Sequence, residues 1–146
     1  MKKALLLVSV LVLSISFSFS QSIVGKWKTI DDETGKAKSI VEISIKDGKL
    51  YGKIIKLFVE KGKDTDPKCT ECEDYRKDKR IIGMTIITGL EKDGDEWEGD
   101  DGILDPKKGS IYDCKIWVDK DDPNTLNVRG YIAFFFRTQT WKRVLK

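Results

Sequence analysis

Eight short runs of apolar or alternating residues, each closed off by turn residues, constrain this chain more than any other feature. They span Ile23–Ile30, Lys38–Lys46, Lys49–Val59, Ile81–Leu90, Glu96–Leu104, Ser110–Val118, Thr125–Ala133 and Phe135–Val144. Val41, Ile43 and Ile45 alternate with Glu42 and Ser44, the period-two pattern of a half-buried strand. Leu126, Val128, Gly130 and Ile132 repeat it against Asn127, Arg129 and Tyr131, and Tyr112, Cys114, Ile116 and Val118 form a third such face. Asp47-Gly48 is a tight-hairpin dipeptide, because glycine accepts positive φ without steric cost. Asp93-Gly94, Asp105-Pro106 through Gly109, and Asp121 through Asn124 supply the same chemistry later. No window carries an apolar stripe of helical period with caps. The pattern predicts an all-β fold, an up-and-down antiparallel meander of about eight strands, closed into a single barrel that leaves no exposed edge.

Glu60 to Arg80 breaks the pattern. It is dense in Lys, Asp and Glu, contains Pro67, and carries Cys69 and Cys72. It is too long for a hairpin turn and too polar for a strand, and reads as a surface loop that could close over one end of the barrel.

The first twenty residues read differently. Met1-Lys2-Lys3 is a short basic start, Ala4 to Ile15 is almost unbroken apolar sequence, and Ser18 and Ser20 suit signal peptidase, with cleavage before Gln21. The apolar stretch is short beside the roughly 20 residues a membrane span needs. The expectation is a secretory signal at 1–20 followed by one barrel domain at 21–146, exported to the periplasm or beyond the cell, with no stable membrane span after cleavage. No cysteine near the cleavage site invites lipid anchoring. Without Lys2 and Lys3 the 27 basic residues become 25, against 24 acidic. That balance argues against nucleic acid as a partner, which calls for a basic excess on one face.

The chain has no histidine. This excludes Ser-His-Asp and Cys-His nucleophiles, histidine-ligated metals and a histidine general base. Cys69-Thr70-Glu71-Cys72 allows a structural disulfide, a redox pair or part of a metal site. An oxidising compartment favours the disulfide. The redox reading lacks the helix that would lower a thiol pKa, and zinc lacks a conventional fourth ligand. Cys114, on an apolar strand face, reads as a buried thiol, though pairing with Cys69 or Cys72 stays open. The acidic run from Asp93 to Gly102 fails calcium-loop spacing, since Trp97 stands where an oxygen ligand is needed. Neither a cofactor nor a metal is implied. The aromatic residues suit either the filling of a small barrel, which is the commoner use, or the lining of a pocket. As pocket candidates the sequence nominates Tyr51, Trp117, Arg129 and Tyr131.

Several segments resemble a known family. Gly25-Lys26-Trp27, Ser39-Ile40-Val41-Glu42-Ile43 and Leu50-Tyr51-Gly52-Lys53-Ile54 are similar to the small exported bacterial proteins of domain-of-unknown-function family 2147. The Cys69/Cys72 pair, Ile82-Gly83 with Gly89-Leu90, and Ile103-Leu104-Asp105-Pro106 with Gly109 and Tyr112-Asp113-Cys114 extend the match. Leu126-Asn127-Val128-Arg129-Gly130-Tyr131 and Arg137-Thr138-Gln139-Thr140-Trp141 complete it. The resemblance implies a lipocalin-like (calycin-like) barrel and brings no catalytic residues. Gly25-Lys26-Trp27 also resembles the glycine–tryptophan plug of lipocalin-like barrels. There a basic residue of the last strand covers the indole, a contact worth about 0.5–2 kcal/mol. Arg143 is the first candidate for that residue and Arg137 the other.

Together these readings lead to an exported, non-enzymatic barrel that binds a small, largely apolar molecule at one open end. A filled barrel acting as an envelope interaction or structural module is the alternative, and a carboxylate- or thiol-dependent enzyme a third.

Overall fold

A computed structural model describes residues 22–146. The signal segment expected at 1–20, with Gln21 at its cleavage site, lies outside the described residues. Eight strands follow one another: β1 (Gly25–Ile30), β2 (Ala37–Lys46), β3 (Lys49–Leu57), β4 (Thr85–Asp93), β5 (Glu96–Asp105), β6 (Ser110–Val118), β7 (Thr125–Ile132) and β8 (Phe135–Arg143). Each pairs antiparallel with its sequence neighbours, and β1 meets β8 through Trp27 opposite Arg143 and Lys28 opposite Lys142, so the sheet closes into an up-and-down barrel.

The turns explain the connections. Asp47 and Gly48 have φ of 52° and 76°, the paired positive values of a two-residue hairpin whose twist matches its strands. Asp105 accepts at Oδ1 the amide of Lys107, while the amide of Gly109 donates 2.8 Å to the Asp105 carbonyl. Asp119 and Asp122 accept amides of the turn that follows β6 in the same way.

The β2–β3, β4–β5 and β6–β7 connections gather at one end of the barrel. Near that end Ile43, Leu50, Leu90, Ile116 and Leu126 are almost wholly buried. Each such side chain contributes about 1.5–3 kcal/mol of burial. The other end carries the β1–β2, β5–β6 and β7–β8 turns and the long segment 58–84.

One expectation needs correction. The fourth run was expected to be extended from Ile81, but β4 begins at Thr85. Gly83 stands at φ 90°, the Met84 amide donates to the Ile81 carbonyl, and the Ile81 amide donates to Pro67, so the chain turns here. Ile81 and Met84 are apolar because they anchor the connection to the core. The same contact makes the loop more than a surface feature, since Cys69, Cys72 and Arg76 on its inner side are all buried. Arg76 donates to both carboxylate oxygens of Asp74 and, 3.0 Å away, to the Thr85 carbonyl. A Cβ on Gly109, at φ 69°, would stand 1.9 Å from the Glu71 carbonyl oxygen, so the loop and the β5–β6 turn approach as closely as glycine permits. Ile45 and Ile132 share the inward phase of their strands but lie near strand ends, beyond the packed interior, and are exposed.

Candidate ligand-binding cavity

Above the packed end the interior is hollow. A cavity of about 440 Å³ opens at the end that carries the β5–β6 and β7–β8 turns. Trp141 and Val128 lie toward its inner end, and Ile54, Ile86 and Leu104 line its walls. Pro67 and Ile81 of the long loop add a side. These positions come from the period-two alternation, which turns every second residue of each strand inward.

A few polar groups interrupt the apolar lining. The hydroxyls of Thr29 and Ser39 face each other across β1 and β2 at 2.7 Å, both buried. Gln139 accepts at Oε1 the indole N–H of Trp141 at 3.3 Å. Tyr112 also lines the space. At the mouth stand Lys38, Lys107, Lys108 and Arg137. Arg137 is held by Asp32, to which its Nε donates at 2.8 Å, and this partner raises the guanidinium pKa above its ordinary value. Lys38, Lys107 and Lys108 have no carboxylate partner among the described residues. The one carboxylate of the lining, Asp105, is engaged by the turn amides.

The opposite end is closed by three residues. Trp27 is fully buried and donates its indole N–H to the Ile23 carbonyl at 2.8 Å. The Arg143 guanidinium lies 4.2 Å from the ring centroid and donates to the carbonyls of Ser22 and Pro123. Gly25, at φ 139°, lies beneath it, where an added Cβ would already meet Arg143 Nη1 at 3.4 Å.

Tyr51, Trp117, Arg129 and Tyr131 do not line the cavity. Leu50 and Gly52 take the inward phase of β3, and Val128 and Gly130 that of β7, so the intervening side chains face outward. Three of the four nevertheless meet on the outer face. Arg129 lies between Trp117 and Phe136, 5.1 Å and 4.4 Å from their ring centroids, and donates to Thr138 Oγ1 at 2.8 Å. Tyr131 packs against Phe136 at 6.2 Å, while Tyr51 stands apart on β3. Sequence reading missed Thr29, Ser39, Gln139 and Trp141 as cavity residues. The alternation Gln139/Trp141 in the last strand was the available signal.

Cys69 and Cys72 form a disulfide, with Cα atoms 5.4 Å apart. Cys69 Sγ also lies 3.2 Å from the Pro106 carbonyl oxygen, a packing contact since a disulfide sulfur has no proton to give. Cys114 is free and buried, and burial, aided by the neighbouring Asp113, pushes its thiol pKa up to about 12.

The closed eight-stranded barrel, plugged at one end and hollow at the other, defines a lipocalin-like protein. The chain belongs to the family described as "Uncharacterized protein conserved in bacteria (DUF2147)", which matches residues 25–143. Among solved structures it is similar to protein HP1028 of Helicobacter pylori, described as belonging to the lipocalin family. The two share 20% identity with a TM-score of 0.69, over 86% of this chain and 84% of that one. No curated protein sequence matches.

Proposed function

We propose that this protein is an exported carrier that binds one small, largely apolar molecule in the barrel cavity and catalyses no reaction on it. The observation that carries this reading is the cavity itself. Its roughly 440 Å³ falls within the range of pockets that enclose small ligands, and its lining is apolar with a few oriented polar groups. The lining offers little for catalysis: the chain has no histidine, Cys114 lies outside the cavity with its thiol protonated, and Asp105 is committed to its turn. The signal-like first twenty residues and the Cys69–Cys72 disulfide support export to an oxidising compartment.

Native mass spectrometry of the protein purified from its own host tests the reading, together with titration of hydrophobic dyes followed by tryptophan fluorescence, to which Trp141 in the cavity contributes. A non-covalent adduct, or a saturable one-to-one response, is the expected result. A protein that carries no adduct and gives no saturable response with any apolar probe would sink it.

A further inference from the structure

The β7–β8 hairpin tip differs from every other turn in the barrel. The other short turns are built from Asp, Glu, Thr, Gly, Pro, Lys and Asn, whereas this one reads Ile132-Ala133-Phe134-Phe135-Phe136. Its four large side chains are 60%, 99%, 76% and 61% exposed, and Ile132, Phe135 and Phe136 also border the cavity mouth. Isolated apolar residues on a surface need no explanation, but a contiguous patch does. The backbone carries a second sign. Ala133 sits at φ 50°, where glycine or asparagine would be unstrained, so the tip gives up ordinary turn chemistry as well as solubility.

Cations without carboxylate partners stand beside this tip. Arg129 stacks on Phe136 and bonds only to Thr138 among the described residues. Lys107 and Lys108 project from the neighbouring β5–β6 turn at the same end of the barrel, and Lys38 stands across the mouth. The acidic β1–β2 turn offsets them in part. Asp32 is paired with Arg137, whereas Asp31, which stays ionised while it accepts the Thr34 and Glu33 amides, and Glu33 have no ion-pair partner among the described residues.

From this juxtaposition we infer that the β7–β8 tip docks the barrel on an anionic lipid bilayer, with Phe134, Phe135 and Ile132 entering the acyl boundary while Arg129, Lys107 and Lys108 meet headgroup phosphates. Apolar wedges flanked by cations are the general chemistry of interfacial binding, and neither component anchors well alone. A second copy of this chain suits the tip less well, because an isologous contact would bring the same unpaired cations face to face. The cavity mouth opens next to the tip, so a docked barrel would face the bilayer with its open end.

The test is flotation of the chain from Ser22 onward, which carries the complete closed barrel, with vesicles of phosphatidylethanolamine and phosphatidylglycerol or of phosphatidylcholine alone. Binding is expected on the anionic vesicles, falling at least tenfold for Phe134→Ser and at least threefold for the double variant K107S/K108S. Phe134 does not line the cavity, so Phe134→Ser should leave the dye response intact, which separates this inference from the carrier reading. Wild-type protein that ignores anionic vesicles overturns the inference. So does binding that survives Phe134→Ser, or a dimer in sedimentation velocity that this substitution dissolves while no vesicle binding is seen.

Discussion

The guanidinium of Arg143 lies 4.2 Å from the ring centroid of Trp27, and the two residues are paired across the β1–β8 seam that closes the barrel. One side chain thereby covers the buried indole and ties the seam to the N-terminal approach through Ser22 and to the β6–β7 connection through Pro123. Burial disfavours the charged guanidinium and lowers its pKa, so its hydrogen bonds and the ring face carry the compensation.

Arg143→Ala should therefore lower unfolding free energy by about 2–4 kcal/mol, as the cation–π contact and the charged hydrogen bonds go together. Arg143→Lys should recover only part, since an ammonium cannot reach carbonyls on both sides while lying flat on the indole. Urea unfolding of the three proteins measures this. A loss below about 0.5 kcal/mol for the alanine variant would mean that the plug is packing alone.

The three cysteines make a counting prediction. In native protein near pH 8 no thiol should react with a disulfide reagent, because Cys114 is buried with its pKa at about 12. Unfolding without reductant should expose one thiol per chain, and unfolding with reductant three. A native chain with two reactive thiols would contradict the Cys69–Cys72 pairing.

The ion pair that anchors the long loop gives a pH dependence. Hydrogen bonds from Arg76 hold the Asp74 carboxyl below its ordinary value of 3.8. A carboxylate with a depressed folded pKa adds stability that is fully present above the unfolded value and lost as pH falls through the folded one. Wild type should thus exceed Asp74→Asn in urea stability at neutral pH. The gap should narrow as pH falls below the ordinary carboxylate value and close once pH has passed the depressed folded one, where protonated Asp74 resembles asparagine. A gap that stays constant with pH would show that the charge of Asp74 is immaterial.

The barrel was legible in the sequence because alternation and turn chemistry are local. Asp47-Gly48 marks its hairpin by conformational preference alone, and Val41 and Ile43 declare an inward face through their neighbours. The family resemblance made the same barrel visible by a separate route. The cavity was less legible, because hollowness depends on how eight inward faces meet at one height. Thr29 and Ser39 are unremarkable in their own strands and become a polar pair only when β1 and β2 align. Aromatic side chains are ambiguous in the sequence for the same reason. Trp117 and Tyr131 look like pocket residues in sequence, yet the phase set by Ile116 and Gly130 turns them outward. The loop boundary at Ile81 is not legible in the sequence, because an apolar anchor and a strand start have the same composition.

Gly130 offers the sharpest test of which side of β7 serves the ligand. It lines the cavity with φ outside the left-handed region, and an added Cβ would make only ordinary contact with Tyr112 at 3.7 Å. Gly130→Leu can thus grow into the hollow without moving backbone. Stability should change by no more than about 1 kcal/mol, as a strand-interior glycine gains a side chain that packs. Dye affinity should fall at least tenfold because the added atoms occupy the space the probe needs. Tyr131→Leu, one residue along and facing outward, should leave affinity unchanged. Parallel titrations of the two variants decide the matter: a loss in Tyr131→Leu with none in Gly130→Leu would move the binding site to the outer Trp117–Arg129–Phe136 cluster.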